Sequence, residues 1–155
     1  MKITFVGHSS LKISESLSRN LSLLLKKSIE TNDIVTFYCG GYGAFDNLCA
    51  NTCHALKNHY SNFEVIFVTP YMSSYPKLNN ILDSDLYDST IYPPIENTPM
   101  RYAISKRNEW MILNSDIVVA YVNRSYGGAY KTLQFAYRNQ KKIINLADDD
   151  FTKNQ

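Results

Sequence analysis

Two runs of glycine each follow an apolar, strand-like segment and precede a helix-like one. The first is Gly40-Gly41-Tyr42-Gly43, after Ile34–Cys39, and the second is Gly127-Gly128-Ala129, after Asp116–Val122. Glycine lets backbone N–H groups approach an anion closely, and the helix N-terminus adds a favourable electrostatic field. The pattern predicts two anion-binding turns, although tight turns without a ligand also require glycine.

Arg107 is the third feature with the chemistry to bind an anion. It shares one face of a predicted helix with three apolar residues, Met100, Ile104 and Met111. An unpaired buried guanidinium is very costly, so Arg107 requires a partner. A ligand phosphate suits its bidentate geometry, and a structural pair with Asp116 or Asp46 is the alternative. Asn108 and Arg101 lie near enough on the helix to assist in either role.

Two more side chains are expected at the same edge of the fold. Asp46 lies in the first turn of the helix after the first glycine run, where it suits a ribose hydroxyl or a helix cap. Gly7 ends the first strand, and His8 after it is either a hydrogen-bonding loop residue or an acid–base group. Four tyrosines near these segments suit either base stacking or packing: Tyr42, Tyr71, Tyr126 and Tyr130.

Several well-defined sites are absent from the sequence. The glycine runs lack the Lys-Ser/Thr ending of a P-loop and the last glycine of the dinucleotide fingerprint. No His, Cys and Asp residues have zinc-site spacing, and no Ser, His and Asp set indicates nucleophilic catalysis. Cys39, Cys49 and Cys53 are interpreted as small buried hydrophobes in a reducing compartment. We therefore expect no metal and no cofactor.

Charge and hydropathy limit the expected partners. The 155 residues include 16 Lys and Arg against 14 Asp and Glu, a net charge of +2, which we interpret as too balanced for nucleic-acid or membrane binding. The apolar runs are far shorter than the ~20 residues of a membrane span. Lys2 leads at once into a strand-like run rather than a signal peptide. These features predict a cytoplasmic protein with no nucleic-acid partner and no membrane partner.

Five apolar strands alternate with helices along the chain. The predicted strands are Lys2–Val6, Ile34–Cys39, Phe63–Thr69, Asp116–Val122 and Lys142–Leu146. The predicted helices are Ser14–Glu30, Phe45–His59, Pro99–Asn114 and Gly127–Arg138, with N-caps at Ser14 and Thr98. Such alternation predicts a mostly parallel sheet of about five strands with helices on both faces. The fold class is therefore a single-domain α/β three-layer sandwich.

The segment Tyr71–Pro99 differs from the rest in being rich in Ser, Asn, Asp, Tyr and Pro. A loop of this length is uncommon inside a compact domain unless it is functional. We expect a short helix near Leu78–Leu82 and a role as a lid or a subunit contact. Residues 1–147 are predicted to form the domain, and residues 148–155 a polar tail that frays.

The chain resembles the SLOG superfamily, in particular its small bacterial and phage members of unknown function. The motifs that carry the resemblance are Phe5-Val6-Gly7-His8, Gly40-Gly41-Tyr42-Gly43-Ala44-Phe45-Asp46, Val68-Thr69-Pro70-Tyr71, Arg107-Asn108-Glu109-Trp110-Met111, Ser115-Asp116 and Gly127-Gly128-Ala129. They extend over about Met1–Leu146 in the family's order and spacing. The resemblance implies a Rossmann-like fold that binds nucleotides or nucleotide-derived ligands.

Two better-known relatives are enzymes that act on glycosidic bonds, and the chain departs from both. In the Lonely Guy phosphoribohydrolases an Arg-Lys pair is similar to Arg107-Asn108, and a catalytic Glu would fall at Gln134 or Phe135. In the nucleoside deoxyribosyltransferases the nucleophilic Glu would align near Thr132. Neither an amide, a hydroxyl nor a phenyl group replaces that carboxylate as nucleophile or base. Glu109 and Asp46 are the acids that remain for such chemistry.

These observations favour a binding, sensing or sequestering module for a nucleotide or a nucleotide-derived signal, bound at the carboxyl ends of the strands. The alternative is an N-glycosidic hydrolase or transferase acting on nucleosides or nucleotides. A purely structural or interaction protein is the third class. We expect homo-oligomers, because relatives commonly pair through helices beside the cleft.

Overall fold

The structure, a computed structural model, describes residues 1–72, 81 and 83–148 of the chain. Within these residues six strands form one parallel sheet. They are β1 (Lys2–Gly7), β2 (Val35–Cys39), β3 (Phe63–Val68), β4 (Ser89–Ile91), β5 (Ile117–Tyr121) and β6 (Lys142–Asn145). The central strands are almost wholly buried, which explains why their sequences are apolar at nearly every position.

Four α-helices connect these strands within the described residues: α1 (Glu15–Glu30), α2 (Ala44–Leu56), α3 (Ala103–Leu113) and α4 (Gly128–Arg138). The hydroxyl oxygen of Ser14 accepts a hydrogen bond from the Leu17 N–H at 3.1 Å, so the predicted N-cap of α1 is confirmed. The predicted α3 begins later than expected, because Met100–Tyr102 after Pro99 form a 3₁₀ turn that leads into Ala103.

The strand order β4-β3-β2-β1-β5-β6 places a switch point between β1 and β5. From β1 the chain moves outward through β2, β3 and β4, and then crosses back to β5 and β6. In the register, Ile3 of β1 pairs with Phe37 of β2 on one side and with Ile117 of β5 on the other. β1 and β5 are neighbours, and the loops that follow them leave the sheet in opposite directions. Ligands of open α/β sheets bind between such loops.

Hydrophobic side chains fill both faces of the sheet. On one face α1 and α2 bury a cluster that includes Leu21, Leu25 and Phe45, together with all three cysteines. The interpretation of the cysteines as buried hydrophobes is confirmed. On the other face Ile112 of α3 and Leu133 of α4 pack against β5. The α/β three-layer sandwich with a Rossmann-like, parallel sheet is therefore confirmed.

In the described part of the chain the sheet has six strands rather than about five. The additional strand, β4, has only three residues and pairs with the end of β3 through Ile66, Phe67 and Val68. Its sequence Ser89-Thr90-Ile91 is mostly exposed, so it lacks the apolar run by which a buried strand is identified. An edge strand this short has no periodicity to detect.

The segment Tyr71–Pro99 is described only in part. The short helix predicted near Leu78–Leu82 lies outside the described residues apart from Ile81, and so does the tail after Asp148. The described part includes β4 and residues that border a cavity of about 240 Å³ beside the start of α3, such as Tyr71 and Tyr92. Its role as a lid or subunit contact stays a prediction, as do the domain limits and the self-association of the chain.

Candidate functional site

A cavity of about 270 Å³ opens at the switch point of the sheet, between the ends of β1 and β5 and the facing sides of α3 and α4. Nine of the twelve predicted site residues line it: Gly7, His8, Tyr42, Asp46, Arg107, Asn108, Gly127, Gly128 and Ala129. The volume is slightly below the range of about 300–1,000 Å³ that is usual for small-molecule sites. The cavity therefore suits one small ligand group.

The N-terminus of α4 forms one wall of the cavity. Gly127 has a φ of +91°, a left-handed conformation that favours glycine, and it turns the chain from β5 into the helix. The Lys131 N–H donates the first helical hydrogen bond, to the Gly127 carbonyl at 3.1 Å. The N–H groups of Gly128, Ala129 and Tyr130 precede that bond and have no helical acceptor. A side chain at Gly128 would meet no atom within 4 Å, so this turn is open to an approaching anion.

Arg107 reaches from α3 to the ends of two strands. Its side chain is only 1% exposed. Nη1 donates to the carbonyl oxygens of Gly40 and Val68 at 2.7 and 2.6 Å, and Nε donates to Asn108 Oδ1 at 2.8 Å. The guanidinium therefore fixes the carboxyl ends of β2 and β3 to α3. Arg107 thus has a structural role, but its partners are backbone carbonyls, and the predicted ion pair with Asp116 or Asp46 does not form among the described residues.

Asp46 is the carboxylate nearest to that guanidinium in the cavity wall. Its Oδ2 accepts a hydrogen bond from the Tyr42 N–H at 3.2 Å, which closes the first glycine run over the start of α2. Burial raises the pKa of Asp46 to about 6, although the positive charge of Arg107 and the Tyr42 N–H act in the opposite direction. Asp46 and Arg107 attract each other but form no direct ion pair among the described residues.

The glycines of the first run support the site rather than line it. A Cβ atom at Gly40 would lie 2.7 Å from Asp46 Oδ2 and 3.3 Å from the Arg107 guanidinium, so these two charged groups occupy the space of a side chain. Gly41 and Gly43 also lie outside the cavity lining. The N–H of Ala44 at the start of α2 donates to the Ser9 carbonyl at 2.9 Å. Among the described helices, α4 therefore presents a glycine-opened N-terminus to the cavity, and the predicted second one, at α2, does not.

His8 joins the two loops at the switch point. It is 4% exposed, and its Nε2 accepts a hydrogen bond from the Asn123 N–H at 3.2 Å. Burial and the nearby charge of Arg124 lower the pKa of His8. A neutral ring whose Nε2 accepts carries its proton on Nδ1. His8 is thus a hydrogen-bonding loop residue that holds the ends of β1 and β5 together.

The cavity lining also includes residues that were not among the predicted site residues. Arg124 lies in the loop after β5, and its guanidinium carbon lies 5.2 Å from the centre of the Tyr126 ring. Thr132 of α4 lines the cavity while its hydroxyl donates to the Gly128 carbonyl at 2.9 Å. Ile104 and Met111 add an apolar wall. A basic residue three positions before a glycine run was the available signal for Arg124.

The two acids considered for glycosidic chemistry, Asp46 and Glu109, and the third predicted acid near the cleft, Asp116, lie in different places. Only Asp46 lines the cavity among the described residues. Glu109 forms an ion pair with Lys106 at 2.8 Å and borders a different groove, between α3 and α4. Asp116 accepts a hydrogen bond from the Lys2 N–H at 2.7 Å, at the opposite edge of the sheet. A second carboxylate is therefore missing from the described lining of the cavity.

The described part of the chain gives two further negative results. No set of three or more His, Cys, Asp or Glu residues within it is arranged to hold a metal ion. Every helix within it is too short or too polar to span a lipid bilayer.

Comparison with solved structures places this fold among known ones. The chain superimposes on the protein TM1055 with a TM-score of 0.58 and 16% identity, covering 92% of this chain and 71% of that one. DNA processing protein A from Helicobacter pylori gives a TM-score of 0.63 and 14% identity, with 99% and 70% covered. DNA processing protein A from Streptococcus pneumoniae gives 0.64 and 16%, with 98% and 54% covered. These likenesses confirm the Rossmann-like fold.

No family model matches the chain, and no curated protein matches it either. This chain spans about half of the Streptococcus pneumoniae protein.

The exclusion of a nucleic-acid partner is wrong. The structure from Helicobacter pylori is described by its single-stranded DNA binding mode. Net charge alone therefore does not exclude nucleic-acid binding by a chain with that fold. Net charge is an average over the whole surface, whereas a binding site depends on where cations lie. Here Arg101, Arg124 and Lys131 are exposed in the turns that begin α3 and α4, at the carboxyl edge of the sheet.

Proposed function

We propose that the chain binds a nucleotide or a nucleotide-derived ligand in the cavity at the switch point, as a binding, sensing or sequestering module. The observation that carries the proposal is the convergence of an open helix N-terminus, at Gly128 and Ala129, with the Arg124 side chain on one cavity wall. Backbone N–H groups and a guanidinium are the groups that proteins use for phosphate. The fold that the chain shares with a single-stranded DNA binding protein supports a nucleotide-related ligand.

The other side of the cavity suits a sugar and a base. Asp46 and Asn108 offer oxygen atoms that accept hydrogen bonds from hydroxyl groups, and Asn108 Oδ1 already accepts one from Arg107. Ile104 and Met111 offer an apolar surface for a ring. Polar groups at one end and apolar groups at the other match an amphipathic ligand that has a phosphate at one end.

A direct experiment is calorimetric titration of nucleoside monophosphates and diphosphates into wild-type protein and into Gly128→Val. The added side chain meets open space in the fold, so the variant is expected to remain folded while its methyl groups block the helix N-terminus. We expect affinity to fall at least about tenfold, as for loss of a charge-assisted hydrogen bond. Ser125→Val adds an apolar group to an exposed position outside the cavity and is the matched control.

Equal affinities of the wild-type protein and Gly128→Val would contradict the proposal. Where no nucleotide in the panel binds, mass spectrometry of small molecules released from heat-denatured protein identifies what the cavity carries. A released molecule without phosphate and without a nucleobase would also contradict it.

The alternative function, N-glycosidic cleavage, is favoured by one observation. Asp46 lines the cavity with a pKa raised to about 6, which suits a general acid or base near neutral pH. Against it, α4 contains no acid, and Thr132 fills the position near which a nucleophilic Glu would align. We propose binding without turnover. Free base detected by chromatography with wild-type protein and abolished in Asp46→Asn would establish the enzyme instead.

A further inference from the structure

Two exposed tyrosines are each covered by a neighbouring arginine. The Arg124 guanidinium carbon lies 5.2 Å from the centre of the Tyr126 ring, and that of Arg101 lies 4.8 Å from the centre of the Tyr102 ring. The two tyrosines are 67% and 48% exposed. A guanidinium over one face of a ring restrains the ring and leaves the other face to water. Two restrained aromatic faces with adjacent positive charge are thus presented to solvent.

Both pairs lie in turns that lead into the helices bordering the cavity, and we call these two turns the rim. Tyr126 directly precedes Gly127 at the start of α4, and Arg124 itself lines the cavity. Tyr102 ends the 3₁₀ turn before α3, and Ile104, two residues later, lines the cavity as well. Helices that connect parallel strands run back along the sheet, so α3 and α4 both begin at its carboxyl edge. Each pair therefore lies at the carboxyl edge of the sheet, beside the start of a helix that borders the cavity.

The size of the cavity determines what else a ligand must contact. A volume of about 270 Å³ lies slightly below the usual range for small-molecule sites, so the cavity holds at most one nucleotide and any longer ligand has to continue across the rim. There it meets the two exposed rings and three exposed cations, Arg101, Arg124 and Lys131. Aromatic faces for bases beside cations for phosphates are the two elements of single-strand recognition. A duplex hides its base faces and would use only the cations.

We propose that the rim binds single-stranded nucleic acid, with one nucleotide in the cavity and neighbouring bases stacked on Tyr126 and Tyr102. This inference rests on the proposed function, because it uses the same cavity for one nucleotide of the strand. The strand is held by stacking on the tyrosines and by contacts of its phosphates with Arg124 and Arg101. Neither contact reads sequence, so the binding is tolerant of the bases present.

Fluorescence anisotropy on the full chain tests this with a labelled oligothymidylate of about twelve residues, within the usual site sizes of single-strand binders. Thymidine monophosphate and a duplex of equal length are the comparison ligands. The variants are Tyr126→Ala, Tyr102→Ala and Tyr126→Phe, which retains the ring. Tyr137→Ala is the matched control, since Tyr137 is 52% exposed but lies in the last turn of α4, at the other end of the helix.

We expect the oligothymidylate to bind at least about tenfold more tightly than the monophosphate and the duplex. Tyr126→Ala and Tyr102→Ala should each weaken strand binding about fivefold or more, the lower limit for loss of one stacked base. Tyr126→Phe and Tyr137→Ala should bind like the wild-type protein. An oligouridylate of the same length separates DNA from RNA, and tighter binding of either strand supports the inference.

Two results would overturn it. One is a strand that binds no more tightly than the monophosphate. The other is a loss in Tyr126→Ala and Tyr102→Ala no larger than that in Tyr137→Ala. The monophosphate titration reports binding in the cavity alone. If the monophosphate binds and the strand binds no more tightly, the proposed role of the rim is refuted and the proposed function is not.

Discussion

Replacing Asp46 by Asn removes a charge that the fold holds at a cost. Burial raises the pKa of Asp46 from its ordinary 3.8 to about 6. At low pH the carboxyl is protonated in both the folded and the unfolded chain, so it does not change the free energy of unfolding. Between the unfolded pKa of 3.8 and the folded pKa of about 6, the folded chain binds more protons than the unfolded chain. The free energy of unfolding therefore falls as the pH rises. Above about pH 6 the full cost is present.

The size of that cost follows from the interval between the two pKa values. At about 1.4 kcal/mol per pH unit, the interval corresponds to about 3 kcal/mol of unfolding free energy. Asp46 lines the cavity and keeps some contact with water, so this figure is an upper limit. Asparagine retains an oxygen atom that accepts from the Tyr42 N–H. We therefore expect Asp46→Asn to match the wild-type protein near pH 4 and to exceed it by up to about 3 kcal/mol at pH ~7.5.

Urea denaturation at a series of pH values measures this difference. The single tryptophan, Trp110, packs edge-on against Tyr38 at a ring-centre distance of 5.5 Å and reports unfolding by its fluorescence. Asp33→Asn changes the net charge equally at an exposed position and is the control. A difference between Asp46→Asn and wild type that is the same at pH ~4 and pH ~7.5 would refute the assignment of a raised pKa to Asp46.

Three further predictions concern the cavity wall. Arg107→Met should lower the unfolding free energy by about 3 kcal/mol or more, because it leaves two buried carbonyls without their donor. A loss below ~1 kcal/mol in urea denaturation would contradict the structural role of Arg107. Gly127→Ala should cost about 1–2 kcal/mol through its φ of +91°, whereas Gly128→Ala, which lacks that strain, should be neutral in thermal melting. Phosphorylated ligands should bind the wild-type protein less tightly as the pH rises above about 6, and calorimetry should show a weaker dependence in Asp46→Asn. Identical pH profiles for the two proteins would contradict that prediction.

The sequence specifies the main elements of the fold because buried parallel strands and amphipathic helices have strong periodic patterns. Ser14 was identifiable as a cap by its type alone, and the apolar stripe of α1 follows it. β4 was not identifiable, because an exposed three-residue edge strand carries no such pattern. The position of each element along the chain was therefore predictable, and the short elements between them were not.

The candidate site was predictable only as far as the loops that form it. Parallel topology brings the ends of β1 and β5 together, so Gly7, His8 and Gly127 could be expected in one cleft. The partners of Arg107 could not be predicted, because they are the backbone carbonyls of Gly40 and Val68, and every residue type has such a carbonyl. The signal for Arg124, a basic residue three positions before a glycine run, is weak, because an exposed arginine in a loop resembles any other surface cation until its position beside the cavity is known.

Arg107 connects the stability of the fold with the chemistry of the cavity. Its Nη1 holds two strand ends by donating to two carbonyl oxygens, and these neutral partners leave the charge of the guanidinium in place. Asp46 is the nearby carboxylate, and burial keeps that group close to protonation at neutral pH. When Asp46 is protonated, the described cavity lining holds no negative charge that offsets the guanidinium, and a ligand phosphate at the start of α4 would meet a more positive cavity. The cavity therefore favours an anionic ligand most when Asp46 is protonated. Deprotonation of Asp46 as the pH rises lowers both the affinity for that ligand and the stability of the empty protein.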